Sequence, residues 1–339
     1  MAVRHVNIPI FIPHMGCPNM CVFCNQRSIS GKMSFDISHV KADIETALST
    51  VSKEDFVEIA FFGGSFTGID RTLMTDLLSL AQNYVDEGRV TSIRLSTRPD
   101  YISNEILDIL SSYSVGTIEL GLQSMDDEVL VACKRGHTSE QAVRACKMIK
   151  ERGFSLIGQM MIGLPRSTVD KEIATAEIIC NMGADGARIY PTVVFYETEL
   201  CSMMQSGEYS ALSNDDAALR TAAALRVFAD NGVPCIRVGL QSGENLSDEA
   251  HVAGGANHSA IGEMAMSALY FDKICEQLDA KITDNAPDIL TIFCPMGEIS
   301  KVVGQKRKNI EKIREKYGIK KVKVLEKKEL LRYNIIIDL

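Results

Sequence analysis

The chain has 339 residues, 46% hydrophobic and 24% charged, with 10 cysteines and a net charge of −8. That length suffices for one large domain plus a small one, or for a single elaborated barrel, and the composition is that of an ordinary globular protein. No apolar run approaches the roughly 18 residues that cross a bilayer, and residues 1–11 hold neither a long apolar stretch nor a small-residue cleavage site, so we expect a cytoplasmic protein without membrane contact.

His5–Ile12 reads as a first strand. Val57–Phe62, Ser92–Thr97, Thr117–Leu122, Ser155–Ile162, Ala187–Val194 and Cys235–Leu240 follow as strands, with amphipathic helices near 38–51, 71–87, 103–113, 138–152, 168–182 and 214–231. One helix carries its own punctuation: Thr138 with Gln141 forms a capping box and Gly153 a stop. Phe154–Ile162 is nearly continuous in apolar residues, as expected of a strand covered on both sides. Alternating strands and helices imply parallel strands joined by right-handed crossovers, which fits either a closed or partial β/α barrel or an open doubly wound sheet. In both, ligands gather at the carboxyl ends of the strands. Ser242–Ala260, rich in Gly, Ala, Asn and Ser, reads as a loop, and a helix near 261–279 comes next. Ile289–Cys294, Glu298–Val303, Lys308–Tyr317, Lys320–Glu326 and Tyr333–Leu339 then read as strand, helix, helix, strand, strand. We divide the chain into a barrel (1–245), an extension of loop and helix (246–284) and a small basic α+β unit (285–339).

Seven of the cysteines are scattered singly, which suits small buried hydrophobes. The other three, Cys17, Cys21 and Cys24, form C-x3-C-x2-C directly after the first strand. Three thiolates this close can turn toward one iron–sulfur cluster and leave one iron open. Structural zinc is the rival, and it needs a fourth ligand, for which His14 stands nearby.

The triplet, with Phe23 just before its last cysteine, resembles the signature of the radical S-adenosylmethionine (SAM) superfamily. The resemblance implies a partial (β/α) barrel, a 4Fe-4S cluster on Cys17, Cys21 and Cys24, SAM on its open iron, and a reductant such as ferredoxin or flavodoxin. It also implies that Phe23 packs near the adenine. Gly63-Gly64-Ser65 resembles the Gly-Gly-Glu motif that holds the SAM amino group, with Ser65 in place of the acid. Ser96 stands where elongator-like relatives often have an acid. Gln123 resembles the glutamine that meets the SAM ribose in oxygen-independent coproporphyrinogen oxidases, and Arg135 falls where those enzymes pair an arginine with the SAM carboxylate. Gln159 replaces the acid of an Asp-x-x-x-Gly-Leu-Pro pattern and would also face the ribose. Arg188 and Tyr190, at the next strand end, would face substrate as the catalytic candidates.

Over about residues 8–240 the chain is similar to the radical SAM domain of elongator protein three, through Arg188–Val194, Thr198–Leu200 and Gly207–Tyr209. Asn257–Met264 resembles a block of short elongator-like bacterial proteins. The sixty or so residues beyond 279 are too few for an acetyltransferase domain, so acetyl-CoA chemistry is not implied. Residues 301–339 instead hold 13 Lys/Arg against 5 Asp/Glu. Within them Gly304-Gln305-Lys306-Arg307, followed by Lys308, looks like the Gly-x-x-Gly loop of a KH domain with Arg307 at the second glycine, which implies a grip on single-stranded nucleic acid. A solvated structural surface would carry the same charge. Three readings follow: radical SAM chemistry on RNA, such as a tRNA uridine; the same chemistry on a small metabolite or porphyrin precursor; or a non-catalytic, metal-bearing RNA-binding protein.

Overall fold

Strand order decides between the two architectures that strand–helix alternation leaves open, and bears out the partial barrel that the resemblance implies. The computed structural model describes residues 4–12, 17, 21–24, 35–240, 250–282 and 287–339; His14 and residues 241–249 lie outside them. Its strands are β1 (His5–Ile12), β2 (Phe56–Gly63), β3 (Ser92–Thr97), β4 (Val115–Gln123), β5 (Ser155–Ile162), β6 (Gly186–Pro191), β7 (Val193–Phe195), β8 (Cys235–Val238), β9 (Val252–Gly255), β10 (Ile289–Cys294), β11 (Lys321–Glu326) and β12 (Ile336–Asp338). Its helices are α1 (Ile37–Leu48), α2 (Arg71–Asp86), α3 (Asn104–Ser111), α4 (Asp127–Ala132), α5 (Ser139–Glu151), α6 (Val169–Asn181), α7 (Glu199–Ser206), α8 (Asn214–Asp230), α9 (Ile261–Lys281), α10 (Ile299–Val303) and α11 (Lys308–Tyr317).

The main sheet is parallel throughout and runs β1-β2-β3-β4-β5-β6-β8. A doubly wound sheet reverses direction part-way, so that helices cover both faces. Here the order never reverses, and right-handed crossovers put every connecting helix on one side. The sheet therefore curls into a partial barrel with helices outside. Alternate residues obey this division. Ile59, Phe61, Ile93, Leu95, Ile118 and Leu120 are buried in one apolar core with Leu77, Leu78, Ala142 and Ile149 of the helices. Their neighbours Glu58, Arg94, Thr117 and Glu119 point the other way, into the barrel.

The capping box at Thr138 forms as the sequence predicts, with Gln141 returning a bond to the Thr138 backbone. Other expectations need correction. The predicted strand Ala187–Val194 ends at Pro191, and Val193–Phe195 leaves the sheet to pair antiparallel with β9. Residues 252–255, read as loop, are thus a strand. A Cβ on Gly255 (φ +86°) would lie 2.5 Å from the Thr192 carbonyl oxygen, so only glycine lets the two backbones approach this way. Strands of three or four residues are too short for a period of two to declare itself. The short helices α4 and α7 also escape the pattern, although each starts on a side-chain cap, Asp126 and Thr198 respectively, and α7 stops on Gly207 at φ 81°.

The carboxyl-terminal unit is a three-stranded sheet in the order β11-β10-β12, with β11 parallel and β12 antiparallel to β10. Leu290, Ile292 and Cys294 of β10 pack with Leu269, Ile274 and Leu278 of α9 in the same core cluster as the barrel. Tyr270, fully buried, accepts from the Tyr333 backbone N–H at 3.1 Å and donates to Glu298 at 3.3 Å. No helix among the described residues is long and apolar enough to cross a membrane.

Candidate cluster and cofactor site

The cysteines lie at the carboxyl end of β1, where the strand meets Gly63 and Gly64 of β2 and the turn after it. Gly64 N–H donates to the Ile12 carbonyl at 3.0 Å. A Cβ on Gly63 (φ +115°) would sit 2.5 Å from that same oxygen, so glycine is required where β2 passes the start of the loop. The loop itself is held by the two helices the periodicity missed. Val22 N–H donates to the Cys133 carbonyl after α4 (3.2 Å), and the Val22 carbonyl accepts from Leu200 N–H in α7 (2.8 Å). Val22 is buried with Val129, Leu164, Leu200 and Tyr209, and Phe23 packs against this cluster. Cys24 N–H closes a turn onto the Cys21 carbonyl at 3.0 Å.

Cys17, half-buried, and Cys21, buried, share one electrostatic environment. Arg135 Nη1 lies 3.2 Å from the Cys21 sulfur and Arg98 Nη1 lies 3.7 Å from it. Burial pushes the Cys17 thiol up, while a hydrogen bond from the Ser65 backbone and the charges of Arg98 and Arg135 pull it back toward thiolate. Among the described residues no three His, Cys, Asp or Glu side chains converge closely enough to hold a metal ion. Only the donor set and its cationic surroundings speak to a cluster: three thiols on one short segment, at the ligand-binding end of a parallel sheet, with two buried guanidiniums on the middle one. That chemistry suits an anionic iron–sulfur group.

The arginines are rigidly held. Arg98 pairs with Asp100 (2.9 Å), hydrogen-bonds the Arg135 carbonyl, and takes its backbone position from Ser65 Oγ (3.3 Å). Burial works against its charge, but Asp100, Cys21 and Cys17 together raise its pKa. Arg135 also donates to the Gly121 carbonyl at 2.6 Å. Ser65 continues a buried hydroxyl chain, 2.7 Å to Thr97 Oγ1, which lies 2.6 Å from Thr67 Oγ1. The Ser65 side chain is thus spent on the frame, and with the Gly64 N–H on Ile12 and the Ser65 backbone on Cys17, the turn can meet a ligand's donor only through carbonyl oxygens. Gln123 ends β4 in a left-handed conformation (φ 66°), and its buried Oε1 has no hydrogen-bond partner among the described residues. A buried orphan acceptor at a strand end calls for a donor such as a ribose hydroxyl. His137 is buried 3.9 Å from Asp100; burial, and then the Arg135 charge, push its pKa down to about 4, so the ring is neutral near pH 7.

Inside the barrel runs a charged ladder that the sequence reading passed over. Arg94 bridges Glu58 and Glu119 at 2.8 Å each, and Arg188 meets Glu119 at 2.8 Å. His5 closes the lower end on Glu58 at 2.6 Å. The signal was a single charged residue in each of β2, β3, β4 and β6. Of the catalytic candidates, Arg188 is buried in this ladder, lies 5.7 Å over the Phe62 ring and reaches the Tyr190 hydroxyl at 3.5 Å. Tyr190 is half-buried beside it. Gln159 is aligned with Gly121 on one side and Arg188 on the other, and Ser96 with Glu119, so both share the ladder's face and both are half-buried.

The basic turn lies between α10 and α11. Gln305 to Lys308 are exposed, and Lys306 (φ 51°) and Arg307 (φ 63°) are both left-handed. Arg307, at the position of the second glycine, adopts the backbone a glycine would favour there, at about 1 kcal/mol. Asn309 holds the turn in place, donating to Ser267 (2.9 Å) and Val302 (3.2 Å) carbonyls.

The profile of the Radical SAM superfamily matches residues 11–179, and that of the Radical SAM C-terminal domain residues 184–270. The protein belongs to the radical SAM superfamily. This radical SAM enzyme is 30% identical over 220 residues to the protein MJ0486 of Methanocaldococcus jannaschii, covering 61% of its own chain and 67% of the relative. It is 28% identical over 200 residues to the tRNA uridine(34) acetyltransferase of the same organism, covering 52% and 36%. Among solved structures, Elp3 of Methanocaldococcus infernus with its N-terminus (1–46) deleted shares the fold at a TM-score of 0.63 and 20% identity, covering 81% of this chain and 64% of that one. The enzyme thus spans about a third of the acetyltransferase and under two thirds of the Elp3 chain. The superfamily implies a 4Fe-4S cluster and SAM.

Proposed function

We propose that this radical SAM enzyme holds its cluster on Cys17, Cys21 and Cys24, binds SAM across the ends of β2 to β5, and modifies RNA, a tRNA uridine being the expected target. The observation that carries the reading is the pair of buried guanidiniums on Cys21 beside the unpartnered Gln123 oxygen. When bound and reduced, the cluster supplies the electron that cleaves SAM to methionine and a 5′-deoxyadenosyl radical. The chain's own residues bind, orient and shield. Phe23 would bound the adenine, Gln123 and Gln159 the ribose, and Arg135 the carboxylate, while the peptide groups of Gly63, Gly64 and Ser65 receive the amino group. Ser96 lines the same face. Arg188, neutralised by Glu119, acts by fixing Tyr190, whose hydroxyl then faces substrate. The electron would come from a low-potential donor such as ferredoxin or flavodoxin. The exposed turn at Gly304, Gln305, Lys306, Arg307 and Lys308 would hold the RNA backbone, in the manner of a KH-like unit spanning 285–339, with the barrel at 1–245 and 246–284 joining them.

Anaerobic reconstitution with iron and sulfide, then dithionite and SAM, tests the chemistry: wild type should form 5′-deoxyadenosine and Cys21→Ala should form none. Bound zinc without cleavage would overturn it. The RNA half is tested by the nucleosides of tRNA from a deletion strain; a profile identical to wild type would remove it.

A further inference from the structure

The end of β5 opens on a cavity of about 460 Å³, lined in part by Leu164, that the functions proposed above do not use. Leu164, Met203 and Tyr209 line its apolar part, and Arg166, Glu208 and Ser210 its exposed rim. It is larger than a lone phosphate needs, and of the size that takes a small organic ligand with polar groups of its own.

The frame around it is built rather than incidental. Glu172 is buried and accepts from Gly163 N–H (2.7 Å), Ser167 Oγ (2.8 Å) and both arms of Arg220 (2.6 and 2.8 Å). Tyr209 donates its hydroxyl to the Gly163 carbonyl at 2.7 Å. Four groups from three separate segments thus lock the turn after β5. On that locked turn Arg166 is left-handed (φ 64°), a conformation disfavoured for a residue with a Cβ, and costly backbone of this kind concentrates at ligand sites. Its side chain is exposed and makes no ion pair among the described residues, whereas nearby Arg220 is already neutralised by Glu172. The cavity therefore presents one free cation, a carboxylate and a hydroxyl around an apolar floor. Leu164 and Tyr209 belong to the same buried apolar cluster as Val22 of the cysteine segment.

We propose that this cavity holds a nucleotide that flanks the reacting one in an RNA strand, its base on the Leu164–Met203–Tyr209 floor and its phosphate on Arg166. The proposal rests on the RNA reading. On that reading a strand whose target nucleotide enters the barrel passes over the carboxyl ends of the strands, and this cavity opens at the end of β5; single-stranded RNA is read by bases seated in such pockets, with the backbone held by cations.

The test is fluorescence anisotropy of a labelled single-stranded RNA against reconstituted full-length enzyme at several salt concentrations. Arg166→Ala should weaken binding about tenfold and lower the salt slope by about one. Ser210→Trp, which fills the cavity without changing charge, should weaken binding with the slope intact, and both variants should still form 5′-deoxyadenosine from SAM alone. A control altering Lys306, Arg307 and Lys308 to Ala reports on the basic turn. RNA binding unchanged in both cavity variants would overturn the cavity and leave the RNA reading standing, as would weakening by Arg166→Ala alone. Absence of RNA binding by wild type would overturn both.

Discussion

The two faces of the seven-stranded sheet are made from alternate residues of the same strands and follow opposite rules. Outward, Ile59, Ile93, Ile118 and Ile189 are sealed under helices, and their contribution is area removed from water. Inward, Glu58, Arg94, Glu119 and Arg188 form a chain of paired charges with almost no exposure. A buried ion network repays little of its desolvation in stability, and well-packed apolar residues often serve a core as well or better. Its presence on one face only is consistent with a role for that face in holding polar groups in fixed directions, below the mouth where the proposed function seats cofactor and substrate. The outer face keeps the fold, and the inner face aims it.

Three substitutions probe that division. The largest effect should come from Glu119→Leu, which strands Arg188 and leaves Arg94 with one partner. About 3–5 kcal/mol of stability should be lost in urea unfolding, and 5′-deoxyadenosine yield per folded enzyme should fall because Arg188 no longer fixes Tyr190. Adding Arg188→Met should restore most of the stability and none of the yield. Full recovery of both would mean that the ladder is packing alone. Next, Leu77→Ala on the outer side should cost about 3 kcal/mol by cavity formation, with the yield per folded enzyme unchanged. A drop in yield would break the distinction between the faces.

The smallest effect concerns pH. The folded pKa of His137 is about 4, below the ordinary value of 6.5, so between these values the unfolded chain binds a proton that the folded chain refuses. Stability from this group is intact above about pH 6.5 and declines as pH falls toward 4. Between about pH 7.5 and about pH 5 the loss should be about 2 kcal/mol, and His137→Phe should remove that share of the slope. Parallel pH profiles for the two proteins would contradict the burial of a neutral ring.

Much of this protein is written locally. Strand and helix alternation, the Thr138 capping box and the cysteine triplet depend on neighbours within a few residues, so periodicity and spacing are enough to read them. The three-residue strand at Val193–Phe195 and its partner at Val252–Gly255 were not legible, because neither has a pattern until the other is beside it. The same holds for the helices at Asp127–Ala132 and Glu199–Ser206, whose purpose, clamping Val22 from both sides, exists only after the chain has folded back on itself. From the sequence alone it followed that three thiols, a Gly-Gly turn and Gln123 would sit at or near strand ends. The unbroken strand order, the meeting of Arg98 with Arg135 on Cys21, and the joining of single charges from four strands into one ladder arise only when the chain has folded. Propensity and spacing act along the chain, whereas register and these polar contacts act between residues 22 to 114 positions apart.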